Sequence, residues 1–389
     1  MKIHVISASD RNNYGDLLFP LVIKKYLAKT NKDFSFYNYG IIQSDLSGFG
    51  ALPTESFKDL EINLTKDDTN KVIIGGGEVI GGGWLNIQRF VNLFWNKIYS
   101  LKYLRYPIVK FEILEKYFFW TTGHSRPFIL DGLKFDRNQI FYNSIGAQGS
   151  LKMLRSNSKY QKYFNDVKHL SIRDMTSEKI FNKFDIKNSL VPDSALIMSD
   201  LFENDFDDNV SSRCKKFLEN DYIFVQLGDR KGPKDLERFI LEIKEFADKH
   251  SFKILLCPIG LALDHGDDII LKQINNKFPE LEYYHPENLY ETMFLLKNSK
   301  MYVGTSLHGV ITAQSFNVPF FAFPEKITKL KIYLDTWFEN SEEMHGLFSQ
   351  TGKIEQRFLT YNAEVEALNT KKQKDMIYSN FIKMFSDNE

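Results

Sequence analysis

A chain of 389 residues, 43% apolar and 15% aromatic, has enough hydrophobic surface for two domains of about 150 to 200 residues each, which excludes a disordered or fibrous protein. Fifty basic side chains balance fifty acidic ones, so no global positive field draws in nucleic acid and any anion site must be local. Two cysteines, Cys214 and Cys257, offer at most one bridge and no metal-ligand spacing, which fits reduced thiols in a cytoplasm and argues against structural zinc.

The chain starts with Met1-Lys2-Ile3-His4-Val5-Ile6-Ser7, a strand pattern without the long apolar core of a signal peptide. A helix from about Asp16 to Thr30, a strand near Phe34 to Tyr39 and a buried strand at Lys71 to Ile74 are predicted next. Asn13, Tyr14, Gly15 and Asp16 fall between the first strand and the first helix, at the carboxyl edge of a sheet where open α/β folds place ligands. Asp16 can serve there as a helix cap, or as a carboxylate that orients or deprotonates a sugar hydroxyl.

Directly after Ile74 stand Gly75-Gly76-Gly77-Glu78-Val79-Ile80-Gly81-Gly82-Gly83, six glycines in nine positions. Backbone without Cβ atoms can approach a ligand and turn its amides inward as an anion nest; the plain alternative is a tight turn. The spacing is neither G-x-G-x-x-G nor a phosphate-binding P-loop. Between Trp95 and Trp120, nine aromatic residues interleave with Lys97, Lys102, Arg105, Lys110 and Lys116 against only Glu112 and Glu115. That pattern suits anionic lipid headgroups or a lipid-linked substrate, whereas helix packing with snorkelling lysines is the ordinary alternative.

A strand at Gln139 to Asn143, helical segments from Leu151 to Phe164, a strand at His169 to Ile172 and a helix at Met175 to Phe184 follow. Arg173 sits at a strand end, where a planar guanidinium can hold a carboxylate or phosphate or pair structurally with Asp174 or Asp193; Asp174 reads as a helix cap. The acidic, polar stretch 200–212 reads as a linker. It separates a domain at 1–200, with 84–138 as an acceptor-binding insertion, from a second at 213–345, and 346–389 is read as a helical closing segment.

The second half repeats the alternation with strands at Tyr222 to Gln226, Lys253 to Cys257 and Glu282 to Tyr284. From Met301 to Pro324 no charged residue occurs. The pattern predicts a strand at Met301 to Val303, a turn at Gly304 to Ser306, a helix at His308 to Phe316 and a strand at Pro319 to Phe323. His308 therefore lies beside the free amides of a helix start, with a titration range suited to proton transfer; the alternative is a buried histidine donating to a carbonyl. Lys326, Lys329 and Lys331 come next, and Lys326, three residues past the strand end, is read as the inward-pointing one. No run of about 18 apolar residues supports a transmembrane helix.

Taken in order, Asn13-Tyr14-Gly15-Asp16, Ile73-Ile74-Gly75-Gly76-Gly77, Ser144-Ile145-Gly146-Ala147-Gln148-Gly149, Ser171-Ile172-Arg173-Asp174, Val191-Pro192-Asp193-Ser194-Ala195-Leu196 and Ser306-Leu307-His308-Gly309 resemble the blocks of the polysaccharide pyruvyl transferase family. The resemblance implies an α/β fold of two Rossmann-like domains facing a cleft, GT-B-like. It further implies phosphoenolpyruvate as donor substrate, no cofactor or metal, and a cyclic pyruvate ketal formed on two hydroxyls of a sugar in surface polysaccharide or cell-wall glycan synthesis. By the same likeness Arg173 and His308 bind the donor or do acid-base work, Leu307 lines the donor pocket, and Lys326 is the basic residue after the histidine block. Ser306 stands where the family often carries Arg, and 84–138 exceeds the usual spacer.

Ketal formation needs a proton for the methylene carbon, removal of a hydroxyl proton, and neutralised phosphate and carboxylate charge. His308 is accordingly read as general acid or base, Arg173 and Lys326 as donor clamps, and Asp16 as the acceptor base. Asn13, Gly15, Gly75, Gly76, Gly77, Glu78, Asp174, Ser306, Leu307, Gly309 and Lys329 complete the substrate-contacting set. The expected partners are phosphoenolpyruvate and a lipid-linked or nucleotide-linked sugar, not nucleic acid, with the protein in the cytoplasm or at the cytoplasmic face of the membrane. A GT-B-like glycosyltransferase using a nucleotide sugar and a non-catalytic glycan-binding subunit are the rival readings.

Overall fold

The computed structural model describes residues 1–30, 33–64, 70–132, 136–262 and 266–386. The chain divides into two compact units: residues 1–47, 51–194 and those from 377 onward make one, and residues 48–50 and 195–376 the other.

In the first unit, β1 (Lys2–Ile6), β2 (Ser35–Gly40), β3 (Glu55–Ser56), β4 (Asn70–Ile74), β5 (Gly77–Glu78), β6 (Ile140–Gly146), β7 (His169–Ile172) and β8 (Ser189–Leu190) form one parallel sheet. The order is β3-β2-β1-β4-β6-β7-β8, with β5 added beside β6. The central strands carry apolar runs such as Val72-Ile73-Ile74 because parallel strands are covered on both faces. Ile3, Val5, Val72, Ile73 and Ile74 are buried, and all seven residues of β6 are. The helix Tyr14–Lys29 buries Leu17, Leu18, Phe19, Leu21, Val22 and Ile23.

The second unit repeats the construction with β9 (Tyr222–Gln226), β10 (Lys253–Leu256), β11 (Glu282–Tyr283), β12 (Met301–Gly304) and β13 (Phe320–Ala322), all parallel, in the order β11-β10-β9-β12-β13. Its helix Leu236–Lys249 places Phe239, Ile240, Ile243, Phe246 and Ala247 on one buried face, at the three- and four-residue spacing an amphipathic helix requires. Asp235 caps it by accepting from the Arg238 N–H at 3.1 Å.

One expectation about organisation differs from the fold. The acidic stretch 200–212 is not a linker: Phe202, Phe206 and Val210, spaced four residues apart, are buried and hold short helical turns in place, and the division falls between Ser194 and Ala195. The closing segment is helical, as expected, and is shared: one helix, Ala363–Phe385, contributes its residues up to Met376 to the second unit and those from Ile377 to the first. In the first unit Phe381 and Phe385 pack against the ring of Tyr26. The described part of 84–138 is a set of short helices, Trp84–Gln88, Leu93–Ser100, Lys102–Lys110 and Ile113–Thr122, within the first unit. Residues 133–135 of that stretch and 387–389 of the closing segment lie outside the described residues.

Candidate functional site

In the second unit β12 runs through Thr305 and Ser306 into the helix Leu307–Ser315, with His308 in its first turn. Ser306 caps that helix, its hydroxyl accepting from the Gly309 N–H at 3.2 Å. Gly309 has to be glycine because a Cβ there would run into the Tyr302 hydroxyl. That hydroxyl donates to Gln226 Oε1 at 3.1 Å and accepts from the Ser306 N–H at 3.1 Å. Gln226 Oε1 also accepts from the Thr305 N–H at 3.1 Å, so one amide oxygen at the end of β9 fixes the whole turn.

Behind Gln226 lies Asp267. Its Oδ2 accepts from Gln226 Nε2 at 2.7 Å, from the Gly260 N–H at 2.6 Å and from the Ile259 N–H at 3.2 Å. Burial pushes this carboxyl up to about 6, against the opposing pull of those hydrogen bonds and of Lys231. The relay Asp267–Gln226–Tyr302 thus holds the backbone that presents His308 and the first-turn amides, which favour an anion. His308 and Leu307 are buried, and the His308 carbonyl accepts from Thr312 Oγ1 at 2.7 Å.

Lys326 is exposed, and its Nζ donates to the Gly232 carbonyl at 2.8 Å beside a cavity of about 340 Å³, so it does not point inward as its spacing suggested. Lys329 is half-buried in the first turn of the helix Thr328–Trp337.

At the carboxyl edge of the first unit, Asn13 rather than Asp16 occupies the cap position of the first helix. Asn13 Nδ2 donates to Asp16 Oδ2 at 2.6 Å, and Gly15 is buried beside them. A Cβ on Gly77 would lie 3.4 Å from Asp16 Oδ1, which places this carboxylate over the glycine turn. Gly76 and Gly77 have φ of +132° and +87°, a region that L side chains rarely adopt, and Gly75 packs under Val5, Ser7 and Phe19.

Glu78 and Arg173 form the charged centre of this edge. Glu78 Oε1 accepts from the Gln148 N–H at 2.8 Å, and Oε2 faces Arg173 Nη2 at 3.4 Å. Arg173 Nη1 pairs with Asp193 Oδ2 at 3.0 Å, the structural alternative among its two expected roles. Arg173 is 2% exposed and Asp193 fully buried, whereas the Glu78 side chain keeps 29% of its surface. Burial disfavours the Arg173 charge, but the carboxylates of Asp193, Glu78 and Asp174 outweigh it and hold the guanidinium above its ordinary range. Asp174 caps the helix Met175–Asn182, accepting from the Ser177 N–H at 2.8 Å and from Ser177 Oγ at 3.1 Å. The guanidinium therefore serves carboxylates of its own chain, and the more exposed of these, Glu78, is held at the edge.

β6, which leads into the loop that brings Gln148 to Glu78, is irregular: its pairing with β7 shifts between Tyr142 and Ile145. Ser144 lies there with φ +47°, unusual for a non-glycine residue and costing about 1 kcal/mol or more. Its N–H donates to Ser171 Oγ and its hydroxyl to the Pro192 carbonyl, each at 2.8 Å. Asn143 is held by Ser194 Oγ at 3.2 Å and by Asn380 at 3.0 Å.

Gln226, Tyr302 and Asp267 were not legible as site residues. The one local sign was a polar residue closing the apolar strand Tyr-Ile-Phe-Val-Gln.

The family model for polysaccharide pyruvyl transferase matches residues 13–326. No curated protein matches the chain significantly. Among solved structures, the UDP-GlcNAc 2-epimerase from Methanocaldococcus jannaschii is similar with a TM-score of 0.54 at 14% identity, over 98% of this chain and 99% of that one. The UDP-GlcNAc 2-epimerase from Neisseria meningitidis bound to UDP-GlcNAc is similar with a TM-score of 0.51 at 12% identity, over 98% of this chain and 100% of that one. At such identities the likeness shows the fold alone, α/β with two Rossmann-like units of the GT-B type.

Proposed function

Because the chain belongs to the polysaccharide pyruvyl transferase family, we propose that it joins the pyruvyl group of phosphoenolpyruvate to two hydroxyls of a sugar as a cyclic ketal. The methylene carbon takes up a proton, the two hydroxyl oxygens bond to the adjacent carbon, and the carbon–oxygen bond to phosphate breaks. Of the two hydroxyl protons, one is balanced by the new methyl group and the other leaves with inorganic phosphate.

The observation that carries this reading is His308 in the first turn of a charge-free helix, on a backbone fixed by Gln226 and Asp267. His308 delivers the methylene proton, and the amides of that first turn take anionic charge of the donor. Lys326, on a flexible stem, adds a cation when it leaves the Gly232 carbonyl. In the first unit Asp16, steadied by Asn13, takes an acceptor hydroxyl proton, and Glu78 orients the acceptor, with Arg173 as its positioning residue. No cofactor takes part in this scheme. The test is a donor screen: phosphate release from phosphoenolpyruvate in the presence of a β-galactoside or an N-acetylhexosamine supports it, and turnover only with a nucleotide sugar refutes it.

A specific surface favours work at a membrane face on a lipid-linked acceptor. On the helices between Leu93 and Thr122, Tyr103 is 93% and Trp120 83% exposed, and Phe94, Tyr106, Phe111 and Phe119 are exposed as well. Among the described residues no helix is long and apolar enough to cross a membrane. Apolar side chains with an excess of lysine and arginine complement an anionic headgroup layer, each cation near the surface contributing about 1 kcal/mol. Co-sedimentation with phosphatidylglycerol vesicles should fall when Lys97, Lys102 and Lys110 are all changed to glutamate; equal recovery would count against membrane contact.

A further inference from the structure

We propose that a cavity of about 470 Å³ beside the second glycine triplet, within the first unit, is the binding site for the acceptor saccharide. It deepens the pyruvyl-transfer reading and rests on it for the word acceptor. Gly81 to Gly83 form one wall, and Asn86, Arg105, Val109, Glu115, Arg126 and Lys152 form much of the rest. The volume lies within the range of small-ligand pockets.

The second triplet of glycines is explained by this cavity. A Cβ on Gly83 would collide with the Glu115 carboxylate and lie 2.9 Å from Arg126 Nη1, and one on Gly81, whose φ is +103°, would collide with the Gly149 backbone. Larger residues would push the charged walls off the loop. Arg126 faces Glu115 at 3.8 Å, beyond hydrogen-bond reach, and its buried Nε–H has no hydrogen-bond partner among the described residues. The long ion pair leaves room for a ligand oxygen to bridge the Arg126 and Glu115 side chains across the cavity.

The chemistry of the walls selects a saccharide. Carboxylate, amide and guanidinium side chains together match hydroxyls, which both donate and accept, and Val109 meets the C–H face of a sugar ring. With cations and carboxylates both present, the site does not carry the strongly positive lining that a small polyanion such as phosphoenolpyruvate needs. Its position also fits: Gly81 lies three residues after Glu78, the Ile80 N–H donates to the Gly146 carbonyl at 3.3 Å, and Glu78 accepts from Gln148 one residue before Gly149. The loop that walls the cavity therefore carries the oriented carboxylate at its other end. Arg105 and Val109, one helical turn apart, line the cavity from a helix whose Tyr103 and Tyr106 are exposed, so a carrier-linked glycan reaches it from the aromatic surface.

The test uses the full-length protein on immobilised glycans ending in β-galactose or N-acetylhexosamine, with Arg126→Gln and, at the exposed rim, Lys152→Glu, which leaves the core untouched. Thermal shift with phosphoenolpyruvate is measured in parallel. The expected result is glycan binding by the wild type, weakened tenfold or more in both variants, with the phosphoenolpyruvate shift unchanged. No glycan bound by the wild type, or equal binding by wild type and both variants, overturns the proposal. Cavity-dependent glycan binding without any phosphoenolpyruvate shift would leave the site standing and remove the donor assignment instead.

Discussion

The two sheet edges solve the same problem in opposite ways. In the first unit a buried guanidinium is surrounded by carboxylates, and the outcome is one oriented acid, Glu78, at the edge. In the second unit a hydrogen-bond relay runs from the buried Asp267 carboxyl through Gln226 and Tyr302, and the outcome is a fixed backbone turn that presents an imidazole. Ion pairing settles the charge of the group it holds, whereas the hydrogen-bond relay settles the position of a backbone turn. For the proposed pyruvyl transfer, the first arrangement suits orienting hydroxyls and the second suits moving a proton.

Removing His308 should have the largest effect. His308→Ala is expected to lower kcat for phosphate release by about 10²- to 10⁴-fold, the usual contribution of a positioned acid or base, with circular dichroism unchanged. Next is Arg173→Met, which removes the ion-pair partner of the buried Asp193 carboxylate. Breaking a buried pair on one side costs about 3–5 kcal/mol, to be read as a lowered denaturation midpoint, and Arg173→Lys should recover only part of it. An Arg173→Met protein of unchanged stability would erase the contrast between the edges.

Asp267 gives a smaller, pH-dependent effect. Its carboxyl is raised to about 6 in the folded chain from 3.8, so the folded state binds the proton more tightly and stability contributed by this group falls as pH rises through that window. Wild type should lose about 2 kcal/mol relative to Asp267→Asn between pH 4 and 6. Parallel stability profiles for the two proteins would contradict it. The smallest change is Lys326→Met, expected to raise KM for phosphoenolpyruvate several-fold and leave kcat nearly unchanged, since an exposed ammonium bound to a carbonyl contributes modestly.

Most strands were legible because a parallel strand covered on both faces has to be an apolar run, as Val72-Ile73-Ile74 and Met301-Tyr302-Val303 show. Glu55–Ser56 and Gly77–Glu78 were not, since two-residue strands leave no pattern. β6 runs past its expected end because Asn143 and Ser144, polar and fully buried, are paid for by Ser171, Ser194 and Asn380, partners scattered over the sequence. His308 stood out through its charge-free setting. The relay behind it did not, because Gln226, Asp267 and Tyr302 are brought together by the fold alone.

The most direct test of the central claim is to run the reaction in D₂O and measure the ketal product by mass spectrometry and NMR. One deuterium in the pyruvyl methyl group, with product absent or greatly reduced in His308→Ala, is the expected result. A sugar product that lacks the ketal, or a methyl group without deuterium, would contradict proton delivery to phosphoenolpyruvate at this site.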